Sequence, residues 1–126
     1  MAHDEQHHKQ LIDGISKQMK SILDDSQQAV YIYLDDIHKV CNGKFASMLG
    51  YRSPEEWAKV EDSFDAFVDP GSMDTLASTY NRAMEKIIPG TIKVTWKKKS
   101  GGTVATSVTL VPIAYDDHLF ALHFIS

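Results

Sequence analysis

Residues 91–126 constrain the fold most. TIKVTWK (91–97), TVATSVTLVPI (103–113) and HLFALHFI (118–125) are three runs of strand-forming residues, separated by a Ser-Gly-Gly turn and by Asp116-Asp117. The end of the chain therefore predicts three strands of an antiparallel sheet. In the first run Ile92, Val94 and Trp96 share one face. The last two runs are apolar on both faces, which predicts cover on each side of the sheet.

The front of the chain has a different period. Leu11, Ile12, Ile15, Met19, Ile22 and Leu23 recur at spacings of three and four, so residues 4–23 read as an amphipathic helix ended by Asp24-Asp25-Ser26. Burying four of these side chains contributes at most ~1.5–3 kcal/mol each. Ordering the backbone costs ~1–2 kcal/mol per residue, mostly offset by local helix formation. Such a helix is marginal alone and must dock, either on its own domain or on a second copy. The first option makes it the cover for the far side of the sheet. The second makes Ile12, Ile15, Met19 and Ile22 candidates for a homodimer interface.

Between these ends, AVYIYL, the turn pair Asp35-Asp36 and IHKVC read as a hairpin. Asn42 is placed to cap a short helix with Phe45, Met48 and Leu49, stopped by Gly50. Ser53-Pro54-Glu55-Glu56 carries a cap, a first-turn proline and a capping-box glutamate, with Trp57 on the helix that follows. Asp69-Pro70-Gly71-Ser72 opens a longer helix with an apolar face running from Met73 through Leu76, Tyr80 and Met84 to Ile87 and Ile88, ended by Pro89-Gly90. The order predicts an α+β fold: a five-stranded antiparallel sheet with helices on one face, preceded by an N-terminal amphipathic helix. Residues 1–24 form that helix and residues 25–126 the domain.

With 126 residues there is room for one domain. The formal charge of −4 leaves no footprint for nucleic acid, and Lys97-Lys98-Lys99 reads as a solvated hairpin end that discourages edge pairing. No apolar run nears the ~20 residues of a membrane span, and MAHDEQHHKQ lacks the apolar core of a secretory signal. One cysteine cannot form an internal disulfide, so a cytoplasmic location is the default.

The order and spacing of AVYIYLDDIHKVCNGKFASMLGY, SPEEW, FVDP and KKKSGGTVATSVTLVPIAYDD resemble the PAS domain, the sensor module of many signalling proteins, from about Leu23 to Ser126. The resemblance implies a pocket between the sheet and the long helix that in different members holds haem, a flavin, a chromophore, a metabolite or nothing. It also implies signalling through terminal helices and dimer contacts to an output domain. The chain is then either a piece of a larger sensor, such as a histidine kinase, or a module acting alone through its N-terminal helix.

The cofactor stays unknown, and two candidates are disfavoured. Flavin-photosensing members place the reactive cysteine after an asparagine and a glutamine on the last strand; here Cys41 precedes Asn42, and HLFALHFI has no glutamine. Cys41 reads as the buried end of a strand. Haem-binding members take a histidine from the long helix, and residues 72–88 contain none. By the same resemblance the pocket receives Phe120, Leu122 and Phe124, leaving His123 under the N-terminal helix. His3 and His7 share a helical face at metal-ligand spacing, but without a third ligand they read as a solvated tip, and no metal is expected. No nucleophile, base and orienting group are brought together, so no catalytic residue is assigned.

The expected pocket lining is Met48, Leu49, Trp57, Leu76, Tyr80, Met84 and Trp96. Ala105, Ser107 and Thr109 form a small-residue face that, turned inward, leaves room under the long helix, with Ser107 the polar candidate. Three readings follow: a non-catalytic sensory or protein-interaction domain acting by ligand sensing or homodimerisation; a binding protein for a small apolar metabolite; and a small α+β enzyme depending on His123 or Tyr80.

Overall fold

The computed structural model describes residues 2–126, with side chains from residue 6 onward; the side chain of His3 therefore lies outside the described residues. The chain begins with helices α1 (Ala2–Gln18) and α2 (Lys20–Asp25), then strands β1 (Ala29–Tyr33) and β2 (Lys39–Cys41). Three short helices follow, α3 (Gly43–Met48), α4 (Pro54–Ala58) and α5 (Ser63–Phe67), then the long α6 (Pro70–Lys86). Strands β3 (Gly90–Lys97), β4 (Thr103–Tyr115) and β5 (His118–Ile125) close the chain. All five strands form one antiparallel sheet in the order β2-β1-β5-β4-β3.

Local chemistry accounts for the boundaries. Asn42 accepts from the Phe45 amide and caps α3, while also accepting from Val30 N and donating to Gln28 O, so one buried amide ties α3 to the start of β1. Gly50 takes the left-handed stop at φ 87°. Ser53 caps α4 through the Glu56 amide with Pro54 in the first turn, but Glu56 reaches back to the Arg52 amide instead of the Ser53 amide. Asp69 caps α6 through the Gly71 amide. The N-terminal helix is interrupted at Met19, although hydrogen bonds from Met19 N to Ile15 O and Leu23 N to Met19 O carry the ladder across.

Two layers cover the sheet. On one face α3–α6 enclose Tyr31, Phe45, Leu49, Trp57, Trp96, Val108 and Leu110. On the other, α1 lays Leu11, Ile12 and Ile15 on Val30, Ile32, Phe120 and Leu122. Ile12 and Ile15, expected at a homodimer seam, are 6% and 1% exposed in the single chain, with Met19 and Ile22 half-buried at the margin. The sheet itself supplies the partner this stripe needs. Gly14 lies at the closest approach, where a Cβ would run into the Tyr115 hydroxyl.

β5 is central, which explains its unbroken apolar run. Its phase is opposite to expectation. Ala121, His123 and Ile125 face the helical layer, and Phe120, Leu122 and Phe124 face α1. With both faces apolar, alternation carries no sign of which side is which; the pairing Tyr31↔His123 sets it. β4 is likewise reversed: Val104, Val108 and Leu110 pack inward, and Ser107 is exposed on the outer face, its backbone paired with Ser126. Pro112 is tolerated because β3 pairs with β4 only as far as Leu110. α6 stops at Lys86, with Ile87 left-handed at φ 55°; Ile87 and Ile88 project into solvent instead of continuing the apolar face.

Candidate functional site

A cavity of about 240 Å³ lies between the sheet and α6. β1 contributes Tyr31 and Tyr33, β5 His123 and β3 Trp96; α4 contributes Trp57, the α5 region Ser63, Phe64, Phe67 and Val68, and α6 Leu76, Ala77, Tyr80 and Asn81. Lys39 of β2 completes the wall. Of the eight expected lining residues, Trp57, Leu76, Tyr80 and Trp96 are in it. Leu49 is wholly buried in the core beside it, and Met48 and Met84 pack on that core from its edge. Ser107 is excluded by the phase of β4.

Tyr31 organises the wall. Its ring stacks on His123 with centroids 3.8 Å apart and planes within 10°, and on Phe45 at 4.8 Å; Trp57 and Trp96 stand 5.7 and 5.8 Å away. Aromatic pairs of this kind contribute ~0.5–1.5 kcal/mol beyond the area they bury. Burial pushes His123 down to about 3, against weaker opposing hydrogen bonds to the carbonyls of Ala121 and Tyr31. The imidazole is neutral throughout the physiological range. Burial likewise raises Tyr33 to about 12 and lifts Tyr80, whose ring meets Tyr33 edge-on at 5.7 Å. The cavity thus offers neutral phenols and a neutral imidazole.

Two indoles differ in a way that matters. Trp96 Nε1 donates to Thr106 Oγ1 at 2.8 Å, and that hydroxyl donates to Val94 O at 3.0 Å. Trp57 Nε1 is buried and, among the described residues, has no acceptor. An unpaired buried donor costs ~1–3 kcal/mol, and Nε1, with almost no accessible surface, is enclosed by the protein rather than presented to the cavity.

The one cation in the wall is structural. Lys39 Nζ donates to Ala58 O at 3.1 Å, to Val60 O at 2.8 Å and to Asp36 O, and stands 5.5 Å from the Trp57 ring centroid. Burial lowers its pKa, opposed by Asp36 and other acids. Asp36 accepts from Ser63 N at 2.8 Å, Ser63 Oγ at 2.5 Å and Asp62 N at 2.8 Å. Partial burial works against its charge, but these bonds and Lys39 outweigh it and hold Asp36 below the usual carboxylate range. The hairpin turn thereby fixes α5, and with it Phe67 and Val68 of the wall.

Sequence reasoning missed Tyr31, Tyr33, Lys39 and His123 as wall residues. The signal for the tyrosines lies in AVYIYL: Val30, Ile32 and Leu34 are the purely aliphatic set and face α1, while Tyr31 and Tyr33, with polar ends, face the cavity. Cys41 is outside the wall and 5% exposed, and burial pushes its thiol up to about 12. No histidine lies on α6, and the imidazole of His123 lies flat on Tyr31. These residues do not fit a haem ligated from the long helix or a flavin linked to cysteine.

No model of a known protein family matches the chain, and no characterised protein matches its sequence. Solved structures do match its shape. A PAS domain from a two-component sensor histidine kinase superposes with a TM-score of 0.66 over 90% of this chain and 96% of that one, at 14% identity. The fold is that of a PAS domain. A PAS domain from Colwellia psychrerythraea gives 0.68 at 20% identity, over 89% of this chain and 95% of that one. The LOV protein of Rhodobacter sphaeroides gives 0.71 at 12% identity, over 90% and 66%. At these identities the PAS likeness is one of architecture, and any function has to come from the residues. Among the described residues no helix is long and apolar enough to cross a membrane.

Proposed function

We propose that this chain is a sensory module that works without catalysis, binding a small, mostly apolar molecule in the cavity between the sheet and α6 and passing the change to its terminal helices. The observation that carries this reading is a mostly aromatic and apolar wall in which Tyr33, Tyr80 and Asn81 supply a few polar groups. Such walls, with a few placed polar groups, are the usual make-up of small-molecule sites; at about 240 Å³ the cavity falls just below the ~300–1,000 Å³ of drug-sized ones, so the ligand is compact. The absence of catalysis rests on the neutral, stacked His123 and the unreactive Cys41, neither of which is paired with an activating group.

Residues 1–24 act as a cap on a sensor domain of residues 25–126. The sensor histidine kinase likeness favours a role in a larger signalling protein with an output domain. A second copy of the chain meets the margin of the cap, where Met19 and Ile22 are half-buried, because Ile12 and Ile15 already face the sheet. Native mass spectrometry of the intact chain, freshly purified, tests the binding reading. A small molecule travelling with the protein and lost on unfolding supports it. A bare chain that also takes up nothing from a metabolite extract contradicts it.

A further inference from the structure

Four of the six histidines, His7, His8, His38 and His118, gather at one end of the sheet around Asp35, and none of them lines the cavity. Three separate segments bring them there. α1 carries His7 and His8. The turn after β1 carries Asp35 and His38, its shape held by Ile37 N and His38 N donating to Asp35 Oδ1 at 3.1 and 2.9 Å. His118 begins β5, directly after the left-handed pair Asp116 and Asp117.

Asp35 sits between two imidazoles: Oδ2 is 3.0 Å from His8 Nδ1 and Oδ1 is 2.7 Å from His38 Nδ1, with the two rings 5.5 Å apart and nearly perpendicular. Candidate ligand atoms of His8, Asp35 and His38, one from each, lie within 4.8 Å of one another. A tetrahedral shell with ~2.0–2.2 Å bonds spaces its ligands by roughly 3.4 Å, so side-chain adjustments of about 1 Å close it. His118 stands next in line, its ring 6.4 Å from that of His8. Its Nδ1 donates to Asp116 O at 2.9 Å, the second-shell bond that orients a ligating imidazole and leaves the other nitrogen free. His38 is buried, while the side chains of His8 and Asp35 are about a third exposed, which gives an ion a way in.

We propose that His8, Asp35 and His38 form a divalent transition-metal site, with zinc the best match, His118 or water completing the shell. Two neutral imidazoles and one carboxylate are zinc's ordinary nitrogen–oxygen donor set. The ligands come from α1 and from the β1–β2 turn, so the ion binds only when α1 is docked and favours that state by mass action. Docking of the N-terminal helix thereby becomes metal-dependent. This stands apart from the cavity reading and neither needs it nor supports it.

The test is titration of the full chain with Zn²⁺ followed by calorimetry, and with Co²⁺ followed by visible absorption, alongside hydrogen exchange of the α1 amides. The expected result is one saturable site per chain, tetrahedral Co²⁺ bands, and slower exchange in α1 with Zn²⁺. His8→Gln lies on the partly exposed face of a helix and leaves the fold intact, so it is the decisive variant; it weakens binding at least about tenfold, as does Asp35→Asn. Substituting His3 and His7 together leaves binding unchanged. Absence of saturable binding, or binding that survives His8→Gln but is lost with His3 and His7, overturns the proposal.

Discussion

The rings of Tyr31 and His123 lie face to face across β1 and β5, 3.8 Å between centroids, at a directly paired position in the centre of the sheet. The pair forms the floor of the cavity and makes an ionisable group part of the core. The unfolded chain takes up this proton near pH 6.5, the folded chain only near 3. Between those values the unfolded state holds more protons, so stability is full above about pH 6.5 and declines as the pH falls toward 3, by up to ~1.4 kcal/mol per pH unit. Urea unfolding between pH 7 and 4 should show this slope, and His123→Phe, which keeps a ring against Tyr31, should flatten it.

The thiol of Cys41 is expected to be inert. With its pKa pushed up to about 12 and little exposed surface, it holds almost no thiolate at neutral pH. Iodoacetamide should leave the native chain unmodified and label it fully in denaturant. Rapid labelling of the native protein would assign Cys41 a chemistry that its surroundings deny it.

Ile87 ends α6 in a left-handed conformation that β-branched residues avoid, at φ 55° and 63% exposed. Substituting Ile87→Gly relieves roughly 1–2 kcal/mol of backbone strain, gives up little apolar burial, and loses part of that gain to the freer unfolded chain. A net stabilisation of about 1 kcal/mol, read as a higher thermal midpoint, is expected.

Removing residues 1–24 uncovers Val30, Ile32, Phe120 and Leu122 together. A contiguous apolar face of this kind drives association. The truncated chain should sediment as larger species or precipitate, while the intact chain stays small. A truncated chain as soluble and as small as the intact one would mean that α1 does not serve as the cover.

Much of the architecture was legible because local chemistry announces itself. Asn42, Ser53, Asp69 and Gly50 act where their side chains or lack of one predict. The phase of β4 and β5 was not legible, since strands apolar on both sides look alike when slipped by one residue; Ser107 was misplaced and His123 turned to the wrong face for that reason. No local pattern marks Lys39 as a wall residue, because the carbonyls of Ala58 and Val60 that it bonds are brought to it only by the fold. The gathering of His8, Asp35, His38 and His118 depends on strand order, which sets β5 beside β1, and no local pattern encodes that.

The central claim, that the cavity is a receptor for a small molecule, is tested most directly by the indole N–H signals of the intact chain, because both tryptophans line it. There are two tryptophans, and Trp96 is already bonded to Thr106. In a proton–nitrogen correlation spectrum recorded against a panel of compact aryl ketones and esters, at least one of the two indole signals should move saturably with at least one compound. Trp57→Phe, which shrinks a fully buried ring in the wall, should weaken that binding and lower stability. Two indole signals that stay in place across the whole panel would contradict the account.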